Sequence, residues 1–164
     1  MQKDWIGNRF FLVSGNNRGD NPAEHDFYST DPAAVEKLLQ RETFNNKVWE
    51  CACGVGHISE VLKLHGYDVK SSDIIDRGYQ NTEIIDFLVS DNKENRDIIT
   101  NPPYKFAQQF VEHAMGIAHD GFKMAMFLKL TFLEGKARRK MFEQIPRIRY
   151  MCFLQECAAA KTAY

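Results

Sequence analysis

Asn101-Pro102-Pro103-Tyr104 follows directly on the apolar stretch Ile98-Ile99-Thr100. Proline has no N–H to give and holds φ at about −65°, so two in a row end a strand and force a stiff turn. Such a turn can aim the Asn101 side-chain oxygen and the Pro102 carbonyl at one point. Two acceptors there would hold a planar NH2 group and draw its nitrogen toward tetrahedral geometry. The nitrogen lone pair then comes free of its ring to attack an electrophilic carbon. Positioning and charge stabilisation carry such a step without a strong base. Tyr104 offers a face on which a flat, flipped-out heterocycle can stack. The plainer alternative is a proline turn whose asparagine bonds local backbone.

A second constellation precedes it. Glu50-Cys51-Ala52-Cys53-Gly54-Val55-Gly56 sits where an apolar strand gives way to a helix. Gly54 and Gly56 let the backbone of this turn pass close to a ligand, with helix N–H groups facing it and Cys51 and Ala52 alongside. A dinucleotide site would place a third glycine where Ser59 stands. Glu50 suits an amine better than a pyrophosphate, because a carboxylate attracts the amino group of a methionine moiety. Asp73 ends the next strand, where an acid can accept both hydroxyls of a ribose. Asp86 can accept from an adenine amine while Phe87 packs on the ring. Taken in order, these residues fit an adenosyl ligand, although a lone Asp after a strand is more often a cap or a turn former.

Alternating strands and helices must position the two constellations. Asp31 caps a helix that starts at Pro32 and carries Val35, Leu38 and Leu39 on one side. Strands are expected at 48–51, 67–73, 97–100, 123–130 and 148–154, with a brief element at 84–88. Helices are expected after Gly56, over 106–118 and over 135–144. This order implies right-handed crossovers and a mainly parallel sheet with helices on both faces, in which ligands bind beyond the carboxyl ends of the strands. Both constellations fall at such ends. Residues 1–26, rich in Asn, Gly, Asp and Arg after the apolar patch Ile6–Val13, read as a flexible arm before a single domain over 27–164.

At 164 residues the chain has room for one core. No apolar run is long enough for a membrane helix and no signal-peptide pattern opens the chain, so a cytoplasmic protein is expected. The four cysteines lack disulfide-framework or zinc spacing and are expected to be reduced, with no metal. Net charge is −1, but it is unevenly spread. Residues 1–122 hold 12 Lys and Arg against 19 Asp and Glu, whereas residues 123–164 hold 9 against 3. Lys136, Arg138, Arg139, Lys140, Arg147 and Arg149 crowd this last segment. It is either a phosphate-binding surface or a solvated helix face.

The two constellations in this order resemble the amino-methyltransferases that modify adenine N6, enzymes of the Rossmann-like S-adenosylmethionine-dependent fold. Asp26-Phe27-Tyr28-Ser29-Thr30-Asp31-Pro32 looks like the piece such enzymes place before the glycine turn. With Trp49-Glu50-Cys51-Ala52-Cys53-Gly54 and Asp76-Arg77-Gly78-Tyr79, the chain is similar to small methyltransferase-like proteins of phages and prophages over roughly residues 24 to 145. The resemblance implies that Tyr28, Thr30, Glu50 and Gly54 seat the methionine end of the cofactor. It implies that Asp73 takes the ribose, that Asp86 and Phe87 take the adenine, and that Asn101, Pro102 and Tyr104 take the base. DNA is the implied partner, ahead of RNA.

The chain departs from the family pattern in two places. Asp31 separates Thr30 from Pro32, which many relatives place side by side. The family also ends in a hairpin whose last strand inserts antiparallel into the sheet. Here only one strand-like stretch follows Gln144, so an incomplete hairpin is expected, with an open edge that a second copy of the chain could cover. No target-recognition domain is apparent. An RNA base or a glutamine side-chain amide is a chemically similar target. A truncated prophage remnant that binds cofactor without turnover is a further alternative. A nicotinamide oxidoreductase is disfavoured by the missing third glycine.

Overall fold

The computed structural model describes residues 9–14, 29–144 and 148–152. Seven strands form one sheet: β1 (Arg9–Ser14), β2 (Lys47–Glu50), β3 (Asp68–Asp73), β4 (Glu83–Ile84), β5 (Asp97–Thr100), β6 (Lys123–Phe127) and β7 (Ile148–Cys152). Their order is β4-β3-β2-β5-β6-β1-β7, and each pairing is parallel. The five strands from β4 to β6 wind outward in both directions from β2. This makes the chain a Rossmann-like parallel α/β fold. Winding reverses between β2 and β5, where the loops leave toward opposite sides and open a crevice beyond the carboxyl ends.

Alternation along each central strand sends neighbours to opposite faces. Trp49, Ile98, Met124 and Met126 join one apolar cluster with Phe110, Val111 and Ala114 of α3 (Ala107–Gly116) and with Met141 of α4 (Arg139–Gln144). Val48, Ile99, Ala125 and Phe127 join the other, with Val35 and Leu38 of α1 (Pro32–Leu39) and Ile58, Val61 and Leu62 of α2 (His57–Leu64). The sheet is thus covered on both faces, as an all-parallel sheet requires. Asp31 caps α1, its carboxylate accepting from the Ala33 N–H at 2.9 Å. Among the described residues no helix is long and apolar enough to cross a membrane.

Two sequence expectations change at the margin of the sheet. Part of the segment assigned to an N-terminal arm, Arg9–Ser14, is strand β1, paired with β6 on one side and β7 on the other. Its run Phe10-Phe11-Leu12-Val13 has the apolar composition that favours strands, but its partners lie at the far end of the chain, where no local pattern points to them. Strand β1, supplied by the N-terminal part of the chain, thus lies parallel between β6 and β7. The helix expected over 135–144 is broken into a 3-10 turn, Lys136–Arg138, and α4. Residues 153–164 lie outside the described residues.

Candidate active site

Glu50 is the last residue of β2 and is 1% exposed. The Ser59 hydroxyl of α2 donates to its carboxylate and lies 2.6 Å from the Ser71 hydroxyl of β3. Ser59 occupies the place of the absent third glycine, and this contact gives the substitution its reason. Burial pushes the Glu50 carboxyl up to about 8, against the smaller opposing effect of the Ser59 hydrogen bond. An acid so deeply buried stays neutral unless a cation stands beside it.

The glycine turn is tied to the next strand. Asp73, at the end of β3, accepts from the Gly54 N–H at 2.9 Å through one oxygen and from the Ile75 N–H at 3.1 Å through the other. Each oxygen retains acceptor capacity, since an ionised carboxylate offers about four lone-pair directions. Gly54 and Gly56 both have positive φ, 56° and 86°. At Gly56 a Cβ would lie 2.2 Å from the Tyr79 ring, which is held by hydrogen bonds from its hydroxyl to Glu60 at 2.5 Å and from Lys63 at 2.7 Å. Gly56→Ala is therefore expected to destabilise the fold by about 1–3 kcal/mol. Thermal denaturation beside a Gly56→Ala/Tyr79→Ala double variant checks this, since removing the ring should recover part of the loss.

On the other side of the crevice, Asn101 follows β5. Its Nδ2 donates to the Thr30 hydroxyl at 2.9 Å, which fixes the orientation of the amide and makes its oxygen the acceptor end. Thr30 is itself buried and sits one residue before the cap of α1. The intervening Asp31 thus leaves Thr30 in contact with the proline turn.

A cavity of about 820 Å³ joins these groups. Thr30, Glu50, Cys51, Ala52, Asp73, Asp86, Phe87, Asn101 and Pro103 all line it. Asp86 also caps a 3-10 turn, accepting from the Leu88 N–H at 3.0 Å. Phe87 is 2% exposed, its ring packed edge-on against Trp49 at 5.4 Å, so it belongs to the core as much as to the wall. Gly54, Gly56, Pro102 and Tyr104 stand outside the lining. The glycines shape the turn, Pro102 is buried, and Tyr104 begins a 3-10 turn that ends at Phe106. Tyr28 lies outside the described residues.

The cavity also has walls that the sequence reading missed. Ile74, 60% exposed, follows Asp73 and lines the cavity. An apolar residue directly after a strand-ending acid was the available signal. Ser29 and His57, 2.7 Å apart, line the cavity too. Their pairing across 28 positions leaves no trace in local pattern. Cys51 and Cys53 are buried free thiols. Burial raises both, Cys53 to about 11, so neither is a nucleophile at neutral pH. Among the described residues no group of His, Cys, Asp and Glu is placed to hold a metal.

The basic segment is partly committed within the chain. Arg138 donates to the Phe132 and Thr131 carbonyls, and Arg139 pairs with Glu143 at 2.8 Å. The chain matches no protein-family model, no curated protein and no solved structure at a significant level. Its class rests on its own geometry: a Rossmann-like α/β protein with a deep cavity at the switch point of its sheet.

Proposed function

We propose that the chain is an S-adenosylmethionine-dependent methyltransferase that modifies the exocyclic N6 of adenine in DNA. One observation carries the reading: a buried acid, Glu50, and a positioned amide, Asn101, share one cavity at the switch point. The residues present fit the cofactor. Glu50 is a carboxyl that burial alone holds largely protonated, and an ammonium placed beside it would favour the carboxylate and release the proton. Asp73 keeps acceptor capacity for two ribose hydroxyls, Ile74 gives an apolar surface, and Asp86 can accept from an adenine amine.

When bound, S-adenosylmethionine would supply a sulfonium methyl: as the amine nitrogen bonds to it the methyl–sulfur bond breaks, S-adenosylhomocysteine leaves as a neutral thioether, and the amine gives up one proton to solvent. The chain's own part is positional. Thr30 holds the Asn101 amide, the two prolines stiffen the turn, and the amide oxygen accepts from the target NH2. The nitrogen lone pair is thereby turned away from its ring.

The test is incubation with methyl-labelled S-adenosylmethionine and unmethylated DNA, RNA or protein extract, followed by digestion. Label is expected in N6-methyladenine from DNA. Label in an RNA base or a glutamine amide would keep the cofactor assignment and move the target. Cofactor binding without label in any pool would sink the enzymatic reading.

A further inference from the structure

At the cavity mouth, where Lys105 and Phe106 join the lining, the turn after Asn101 interleaves aromatic and cationic side chains. Tyr104, Lys105 and Phe106 form one 3-10 turn, closed by the Phe106 N–H donating to the Pro103 carbonyl at 2.9 Å. With about three residues per turn, the three side chains leave in different directions. Phe106 is 40% exposed, and the Lys105 ammonium lies 5.5 Å from its ring centre. Lys129, just past β6, places its ammonium 4.5 Å from the Tyr104 ring centre. β5 and β6 are parallel neighbours, so Asn101 and Lys129 emerge at the same end of the sheet. Leu130, next along the chain, is 54% exposed.

We infer that this rim binds an unpaired nucleic-acid strand, with Tyr104 and Phe106 as stacking platforms and Lys105 and Lys129 as phosphate contacts. Lysine stems often lie along single aromatic rings on protein surfaces. Here two such pairs and an exposed leucine gather at the mouth of one cavity. A half-buried ring and an exposed one, interleaved with cations, are what single-strand binders combine, because every base has a π-face and every nucleotide a phosphate. A base in a duplex has both faces already stacked and must be unstacked before it can reach a ring.

The inference rests on the base-modifying reading for what the site does, but strand binding needs no methyl transfer. The experiment is fluorescence anisotropy of the full chain with one adenine-containing sequence as single-stranded DNA, as single-stranded RNA and as duplex DNA, across a salt series. Single strands are expected to bind about ten-fold more tightly than the duplex, and Phe106→Ala to lose about ten-fold. Lys129→Met is expected to flatten the slope of log affinity against log salt by about 0.7. A preference for DNA or for RNA would identify the strand, and either supports the inference. Equal or tighter duplex binding, or unchanged affinity in Phe106→Ala, overturns it. So does an unchanged slope in Lys129→Met. S-adenosylmethionine binding, measured by calorimetry on the same samples, separates the two proposals. Strand binding without cofactor binding would remove the methyltransferase reading alone, and the reverse would remove this one alone.

Discussion

Asn101→Ala is expected to lower methyl transfer by about a hundred- to a thousand-fold while S-adenosylmethionine affinity stays within a few-fold of wild type. The size is that of removing one preorganised polar group aimed at a reacting centre. The split follows from position: Asn101 stands after β5, whereas Glu50 and Asp73 end β2 and β3. Single-turnover rates and calorimetry on one preparation measure both halves. Thr30→Val serves as a control, since it keeps the shape and removes the acceptor of the Asn101 Nδ2 at 2.9 Å. An intermediate loss of rate is expected there, because the amide remains but can rotate. Wild-type turnover in Asn101→Ala would end its assignment to the chemistry.

Glu50→Gln should act in opposite directions on stability and on binding. In the unfolded chain the carboxyl ionises near 4.5, whereas burial holds it protonated to about 8 in the fold. Below pH 4.5 it is neutral in both states and imposes no penalty. As pH rises toward 8 the unfolded chain gives up the proton while the folded chain keeps it, so stability falls. Above that range both states are ionised and the deficit levels off, at up to about 5 kcal/mol from ~1.4 kcal/mol per pKa unit.

Glutamine carries no charge to desolvate, so thermal denaturation between about pH 4.5 and 8 should show a flatter profile than wild type, with the variant's advantage largest at the alkaline end. Cofactor binding should change the other way. An ammonium beside Glu50 favours the carboxylate, so binding releases a proton below pH 8 and wild-type affinity rises toward that pH. Loss of the charge-assisted contact should cost about ten- to a hundred-fold in affinity. Full affinity in Glu50→Gln would remove the ammonium role. An unchanged pH profile would remove the buried carboxyl from the account.

The alternation of strands and helices was legible because its signals are local. Asp31 followed by Pro32 marks a helix start, and Ile98-Ile99-Thr100 before two prolines marks a strand end. Gly54 and Gly56 mark a turn that uses positive φ. With parallel crossovers these were enough to place Glu50, Asp73, Asp86 and Asn101 at one end of a Rossmann-like sheet. Boundaries shifted where local signals competed, as at residues 135–144, where a 3-10 turn precedes the last helix.

The sequence by itself determined the central strands and helices, β1 excepted, and which chemistry-bearing residues stand at strand ends. Only the tertiary structure decided what those residues meet. Ser59 against Glu50, Thr30 against Asn101, Asp73 against the Gly54 N–H and Lys129 over Tyr104 join residues 9, 71, 19 and 25 positions apart. The same holds for β1, whose partners are strands near the other end of the chain. Periodicity, caps and turns act over a few residues and are written in local order. Side-chain partners and parallel strand neighbours are chosen when distant segments pack, and local order carries no record of that choice.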